Sequence, residues 1–385
     1  MDETSFSKTE ADKAAQMGEV DKLADLVNSY SDSEQLISLY KDAGYRLDAS
    51  PLENARQIIR HTHCFNSWDE YDKFQTAVHN KNSTLLQFEQ AADAVSIGAY
   101  DTLKSLLHEN LELIHMRSVR NHQSTLLNYV GANGFEGFRQ KTPKNAAAIA
   151  RLLLESGAEV DAWGDMYGGT STLGLVATSV HPVITGVQQE IMEVLIEHGA
   201  DPNHAVAPDY TDGMLILACL HNGRCEPVKY LAEKGAHVDL EGAGGVGDLE
   251  KVKSYLNSDG HLSDNNLKSK LDACFIWACD CGNVNIVEYL LGNGIDVNTR
   301  ASGMTALHSA AFGGHPEIVK LLIDRHADME AVNTYGGTAL SQTLWCLYNH
   351  KKPSHHKIME MLISAGAQVK EDWQSYIDEQ RQKLY

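Results

Sequence analysis

Proline is scarce in this chain, with 8 residues in 385. So is positive charge: 32 Lys and Arg stand against 52 Asp and Glu, a formal net charge of −20. Low proline together with 43% hydrophobic residues excludes a disordered chain. The shortage of cations argues against nucleic-acid binding and against docking on anionic lipid, both of which need a basic surface. A basic partner would instead be attracted, in a salt-sensitive encounter. Long apolar runs are missing. The longest, Met214–Leu220, is far too short to span a bilayer. The opening MDETSFSKTEADK has no basic segment followed by an apolar core, so no secretory signal is read there. Cysteines number seven, an odd and scattered set (64, 219, 225, 274, 279, 281, 346) that does not read as a secreted disulfide framework. The expectation is a cytoplasmic protein whose cysteines are reduced, small core residues.

Complete catalytic signatures are missing too. Cys279-x-Cys281 lacks the two-residue spacer of a redox motif. The glycines of EGAGGVGDLEK have no preceding strand and no following Lys-Ser/Thr, so neither nucleotide fingerprint is met. No Gly-x-Ser-x-Gly elbow is present. His350, His355 and His356 have no recognised zinc spacing and read as a solvated loop. No cofactor and no metal are expected.

What the chain does have is self-similarity, which takes precedence over local structure. The clearest unit runs from Gly303 to Glu330. Thr338, Ala339 and Leu340 replay Thr305, Ala306 and Leu307 after 33 positions. Ala273, Phe275, Ala278, Gly282, Ile286 and Val287 anticipate Thr305, Leu307, Ala310, Gly314, Ile318 and Val319 by 32. A terminal Gly-Ala followed by polar residues recurs at 157, 199, 235 and 366, with Gly294-Ile295 and His326-Ala327 as variants. Earlier units are weaker: Ala11–Val27, Phe88–Leu107, Ser124–Asp161, Ser171–Asn203 and Met214–Asp239, with a truncated one at Gly242–Leu256.

The period and the Thr305, Leu307, His308 opening resemble the ankyrin repeat, with Ala306 where that family prefers proline. The resemblance covers most of residues 88–370. Segments such as TLLNYVGANGFEGFRQKTPKN also resemble bacterial members, which carries no activity with it. It implies an all-α solenoid of about nine helix-turn-helix units with a helical N-terminal insertion, whose concave face and hairpin tips bind partners. The physics agrees: no unit can bury both faces alone, so stacking makes the core. Thr305 suits an N-cap, Gly314 a left-handed helix end, and His326 takes such an end at a modest strain cost.

The expected organisation is a divergent repeat plus helical capping insertion over 1–87, the array over 88–370 and a capping helix over 371–385. Helices are read at SEQLISLYKDAGY, PLENARQIIRHTHCF and SWDEYDKFQTAV, the last with a Ser67–Glu70 capping box. Extra residues interrupt three units: Phe135–Asn145, Thr178–Val187 and Asn349–Lys357. The first two should lie side by side. Two functions compete. In the first, an acidic, monomeric scaffold binds a protein partner, basic by preference, through Trp163, Tyr167, Trp277, Arg300, Tyr335 and Trp345. In the second, Glu136, Arg139, Tyr167 and His181 form a polar ligand or acid–base site on the insert-bearing edge. The first is favoured, and enzymatic activity is not expected.

Overall fold

The computed structural model describes residues 11–29, 50–209, 211–349 and 353–384. The helix read at residues 33–45 and His350 lie outside them. Among the described residues the chain divides between Gly213 and Met214 into two compact units. This division falls inside the stretch read from sequence as one array. Residues before it turn back onto their own unit: Thr170 pairs with Val206, and Thr170 Oγ1 donates to the Ala205 carbonyl at 2.8 Å.

In the first unit, residues 11–17 are helical and precede α1 (Val20–Ser29), α2 (Pro51–Thr62) and α3 (Trp68–Val78). Ser50 caps α2, accepting from the Glu53 N–H, and proline occupies the first turn, where its missing N–H costs nothing. Ser67 Oγ accepts from the Glu70 N–H at 3.2 Å, while Glu70 Oε2 accepts from the Asn66 N–H, one residue upstream of the expected capping-box partner. Tyr71 and Phe74 are buried on one face of α3. They pack with Ala14, Leu23, Ile58 and Phe65 into one apolar cluster.

There follow α4 (Thr84–Ile97), α5 (Tyr100–Glu109), α6 (Ala146–Glu155), α7 (Thr172–Thr178), α8 (His181–Thr185) and α9 (Gln188–Glu197). The unit opening at Ser124 departs from expectation. Its first helix shrinks to a 3-10 turn, Asn128–Gly131. Asn128 Oδ1 accepts from the Thr125 N–H while its Nδ2 donates to the Ala162 carbonyl and to Thr172 Oγ1. An asparagine that can satisfy loop backbone in this way competes with a regular helix. The first two inserts are indeed neighbours, with Thr185 Oγ1 donating to the Thr142 carbonyl at 3.0 Å. The second of them contains α8.

The second unit repeats regularly: α10 (Leu215–His221), α11 (Glu226–Glu233), α12 (Leu240–Val246), α13 (Leu249–Ser254), α14 (Lys268–Asp280), α15 (Val284–Gly292), α16 (Ala306–Gly313), α17 (Pro316–Asp324), α18 (Ala339–Asn349), α19 (Pro353–Ser364) and α20 (Glu371–Leu384). A short hairpin, β1 (Arg300–Ala301) with β2 (Met304–Thr305), enters α16. Thr305 caps α16, and His308 locks the turn: Nδ1 meets Thr305 Oγ1 at 2.7 Å and Nε2 meets the Gly337 carbonyl of the next unit at 2.9 Å. Gly314, Gly247 and His326 are all left-handed, at φ 82°, 88° and 62°. Ile318, Val319 and Leu322 join Ile286, Val287, Ile358 and Met359 in one continuous core. Each such aliphatic side chain contributes about 1.5–3 kcal/mol by burial.

The described residues of the third insert are helical, Asn349 ending α18 and residues 353–357 opening α19. Proline opens α19 at 353, and His355, expected in solvent, is buried with Nε2 beside the Phe312 carbonyl. His356 Nε2 contacts Gln380 Oε1 of α20, and Ile377 of α20 is buried in the same core.

The truncated repeat is tightly squeezed. Helix α12 holds Gly242, Gly244 and Gly245, each costing about 1 kcal/mol against alanine in a helix. A Cβ on Gly244 would stand 2.0 Å from the Cys274 carbonyl oxygen, and one on Gly245 2.5 Å from Leu220 Cδ2. Here glycine is the condition for close approach to α14 and α10, not a phosphate cradle.

The reduced-cysteine reading needs one correction. Cys225 and Cys281 form a disulfide, Cα atoms 5.3 Å apart and 56 residues apart in sequence. The turns after α10 and α14 come together across the repeat that separates them in sequence, which an unfolded reading of spacing does not reveal. Cys219, Cys274, Cys279 and Cys346 are buried thiols outside the disulfide, and Cys64 is half-buried.

Candidate functional site

The first helices of successive repeats in the second unit face one way, and their exposed side chains line a groove of about 830 Å³. Residues at the ends of α10 and α14, residues of α16 and α18, the turn 333–337 and Trp373 of α20 line it. The repeat register explains the lining. Trp277 and Ser309 occupy equivalent positions, and both face the groove. Trp277 Nε1 donates to Glu241 Oε1 at 2.9 Å, and its ring lies 5.5 Å from that of His221. Burial alone would raise the Glu241 carboxyl; the bonds to His221 and Trp277 outweigh that and hold it below its usual range. Tyr335 is 92% exposed at the tip of a turn held by Asn333, whose Oδ1 accepts from the Tyr335 and Gly337 N–H groups. Trp345 is about half exposed.

Three of the six anchors proposed from sequence therefore meet: Trp277, Tyr335 and Trp345. Arg300 stands on the hairpin instead, its guanidinium on the Val332 carbonyl. Trp163 and Tyr167 belong to the first unit. Trp163 Nε1 donates to the His204 carbonyl, and the Tyr167 hydroxyl donates to Asn133 Oδ1. Sequence reasoning missed Phe312, Met304 and Trp373 as lining residues. Phe312, two positions before the terminal glycine of its helix, carried a register signal. Trp373 was read only as a cap, and its second role depends on where α20 crosses the array. The lining is aromatic and neutral rather than acidic: Asp280 is its one carboxylate, and no Lys or Arg lines it among the described residues.

The residues of the competing site are arranged differently. Glu136 and Arg139 come together, but inside the first unit, at 0% and 4% exposure. Arg120 Nε lies 2.6 Å from Glu136 Oε1, and Arg120 also pairs with Glu89 at 2.6 Å. Arg139 bridges Glu89 at 2.8 Å and Glu136 at 3.1 Å, and reaches Asp93 at the rim. The guanidinium of Arg120 stacks over Phe74 at 4.5 Å, and that of Arg139 over Tyr129 at 5.6 Å. Burial pushes the Glu136 carboxyl up, yet Arg120, His122 and Arg139 more than offset this and leave it at about 2. Nearby His63 is lowered to about 4, first by burial and then by Arg120. Tyr167 is exposed on its hairpin, and half-buried His181 opens α8, its backbone N–H on Ser179 Oγ. The Glu136–Arg139 pair is thus a cross-brace holding the first insert to α4.

A family model of ankyrin repeats, three copies, matches residues 243–333 and 275–372. The chain is 36% identical over 105 residues to the tyrosine-protein kinase HTK16 of Hydra vulgaris, covering 26% of this chain and 13% of that protein. It is 39% identical over 93 residues to protein phosphatase 1 regulatory subunit 12A of Mus musculus, covering 24% and 9%. The chain thus spans a small part of these relatives. The human ASB11 ankyrin repeat domain aligns at 20% identity with a TM-score of 0.36, covering 73% of this chain and 99% of that one. No helix among the described residues is long and apolar enough to cross a membrane. With the Thr305–His308 lock, the left-handed helix ends and the continuous inter-repeat core, residues 243–372 of this chain are ankyrin repeats.

Proposed function

We propose that the chain is a protein-interaction module, and that its groove between α10 and α20 takes an extended, basic segment of a protein partner. One observation carries the reading: the groove gathers Trp277, Phe312, Tyr335, Trp345 and Trp373, has Asp280 at one end, and has no cationic lining residue among those described. A site for an apolar helix would be lined by aliphatic side chains; here Leu220 and Met304 are the long ones. Aromatic faces attract guanidinium and ammonium groups, worth about 0.5–1 kcal/mol each when exposed and about 2 when desolvated. The overall −20 charge speeds the encounter of such a segment. Binding is one segment per monomeric chain, in the cytoplasm.

The test is titration of tryptophan fluorescence with a flexible decapeptide carrying four arginines, against versions with citrulline or leucine in their place. Citrulline keeps the planar head and loses the charge. The arginine peptide is expected to bind at least tenfold tighter than either, and Trp345→Ala with Tyr335→Ala to erase the difference. Equal affinity for arginine and citrulline would remove the cation from the proposal. No binding of any peptide would remove the groove.

A further inference from the structure

We infer that Cys225–Cys281 is a thiol–disulfide exchange site whose substrates are low-molecular-weight dithiols and disulfides, and that the bond clamps the glycine-rich repeat between α10 and α14. The regulatory consequence for the groove rests on the function proposed above; the clamp does not.

Access singles out this pair. Both cysteines are half-buried in surface turns, Cys225 just before α11 and Cys281 just after α14. Exchange needs an attacking thiolate to reach a sulfur. Four of the remaining five cysteines are buried, and burial raises the thiols of Cys219, Cys274 and Cys279 far above their ordinary range. Half-buried Cys64 is pushed to about 12, by burial first and then by Glu136. Among the described residues, the pair is where small thiols can act.

Position gives the bond its effect. It skips a whole repeat: α12 and α13 lie between the bonded turns in sequence, and α12 packs against both α10 and α14. That repeat is the one whose first helix contains three glycines and depends on neighbours for its order. The same helices build one end of the groove. His221 and Asn222 come from the end of α10, Trp277 and Asp280 from α14, and Glu241 of α12 holds both Trp277 and His221. Asp280 Oδ2 lies 3.8 Å from Cys225 Sγ, so the carboxylate at the groove end also touches the exchange site.

The chemistry balances as ordinary exchange. A dithiol thiolate attacks one sulfur, the Cys225–Cys281 bond breaks, and a mixed disulfide forms. The second thiol of the reductant resolves it and leaves as a disulfide, and the protein gains two electrons and two protons as two thiols. The reverse reaction with a small disulfide restores the clamp. In a reducing compartment the dithiol is the resting form, and oxidation tightens the groove end.

The test uses the full chain with EDTA present, air-oxidised or reduced with dithiothreitol. Iodoacetamide mapping should find Cys225 and Cys281 protected before reduction and labelled after it. Hydrogen exchange at residues 240–254 should then speed up at least tenfold, with 306–364 unchanged. The double variant Cys225→Ser/Cys281→Ser should match the reduced chain and ignore dithiothreitol, and the arginine peptide should bind the reduced chain at least fivefold more weakly. Labelling of both cysteines in the oxidised chain, or equal exchange at 240–254 in both states, overturns the inference. A peptide that binds neither state overturns the groove reading, while faster exchange at 240–254 still upholds the clamp.

Discussion

The two units stack short helices in the same manner and fill their interiors differently. The first sinks two glutamates and two arginines below 10% exposure, Glu89, Arg120, Glu136 and Arg139. The second buries no glutamate or arginine among the described residues; its buried carboxylates are Asp239 and Asp280, and the rest of its core runs mostly on hydrocarbon and small side chains. Net charge divides the same way. Residues 1–213 carry 31 acidic and 16 basic residues, a net of −15, and residues 214–385 carry 21 and 16, a net of −5. The acidic character read from composition thus belongs mostly to the unit without the aromatic groove. Where repeats stay regular, apolar burial suffices; where inserts replace helix, specific ion pairs hold the odd pieces in place.

That contrast can be broken from either side. The largest effect is expected for Glu136→Gln, which keeps shape and leaves two buried guanidinium groups short of a carboxylate. About 3–5 kcal/mol of stability should be lost from the first unit. Hydrogen exchange should rise through residues 88–160 and stay unchanged in 306–364. A smaller loss would mean that water reaches the cluster.

Reduction of Cys225–Cys281 should cost the second unit about 2–4 kcal/mol, as expected for opening a loop of this size. Urea denaturation with and without dithiothreitol measures it, and the first unit should not respond.

Acid should separate the units by a comparable amount. His63 has a folded pKa near 4, below the ordinary value of 6.5. Between those values the unfolded chain binds the proton and the folded chain does not. Stability of the first unit therefore falls as pH drops from about 6.5 to 4, by up to about 3 kcal/mol. Glu136, held near 2, extends the loss below about pH 4.5, since its contribution is present above the unfolded value and vanishes as pH approaches the folded one. Thermal melts from pH 7 to 4 should lower the first unit's midpoint more than the second's. His63→Gln should flatten the upper part of that slope.

The smallest effect is expected on the groove. Tyr335→Ala should change stability by less than about 0.5 kcal/mol, because the ring touches solvent. A larger change would show that the tyrosine packs on something and is not a free reading head.

Legibility followed regularity. The 33-residue spacing around Thr305 and Gly314 located α14 to α19, because each repeat obeys the same packing constraint as its neighbour. The first helix expected at Ser124 was illegible, since Asn128 satisfies loop backbone instead of propagating a helix. Trp277 and Trp345 could be placed on the groove from register alone. Trp373 could not, because its position depends on a crossing that no periodicity encodes. Glu136 and Arg139 were read as part of a polar site on the insert-bearing edge; that they would be buried beside Glu89 and Arg120, with Phe74 against Arg120 and Tyr129 against Arg139, was not legible. The disulfide needed two turns from different repeats to coincide, which only the assembled stack reveals.

Helix α20 both seals the last apolar face with Ile377 and supplies Trp373 to the binding wall. Inserting one more repeat ahead of residue 371 would carry that tryptophan a full step away from Trp345 and leave the pocket gaping at one side. For this molecule, length and taste are inherited together: the array cannot grow at that end without changing what it is able to hold.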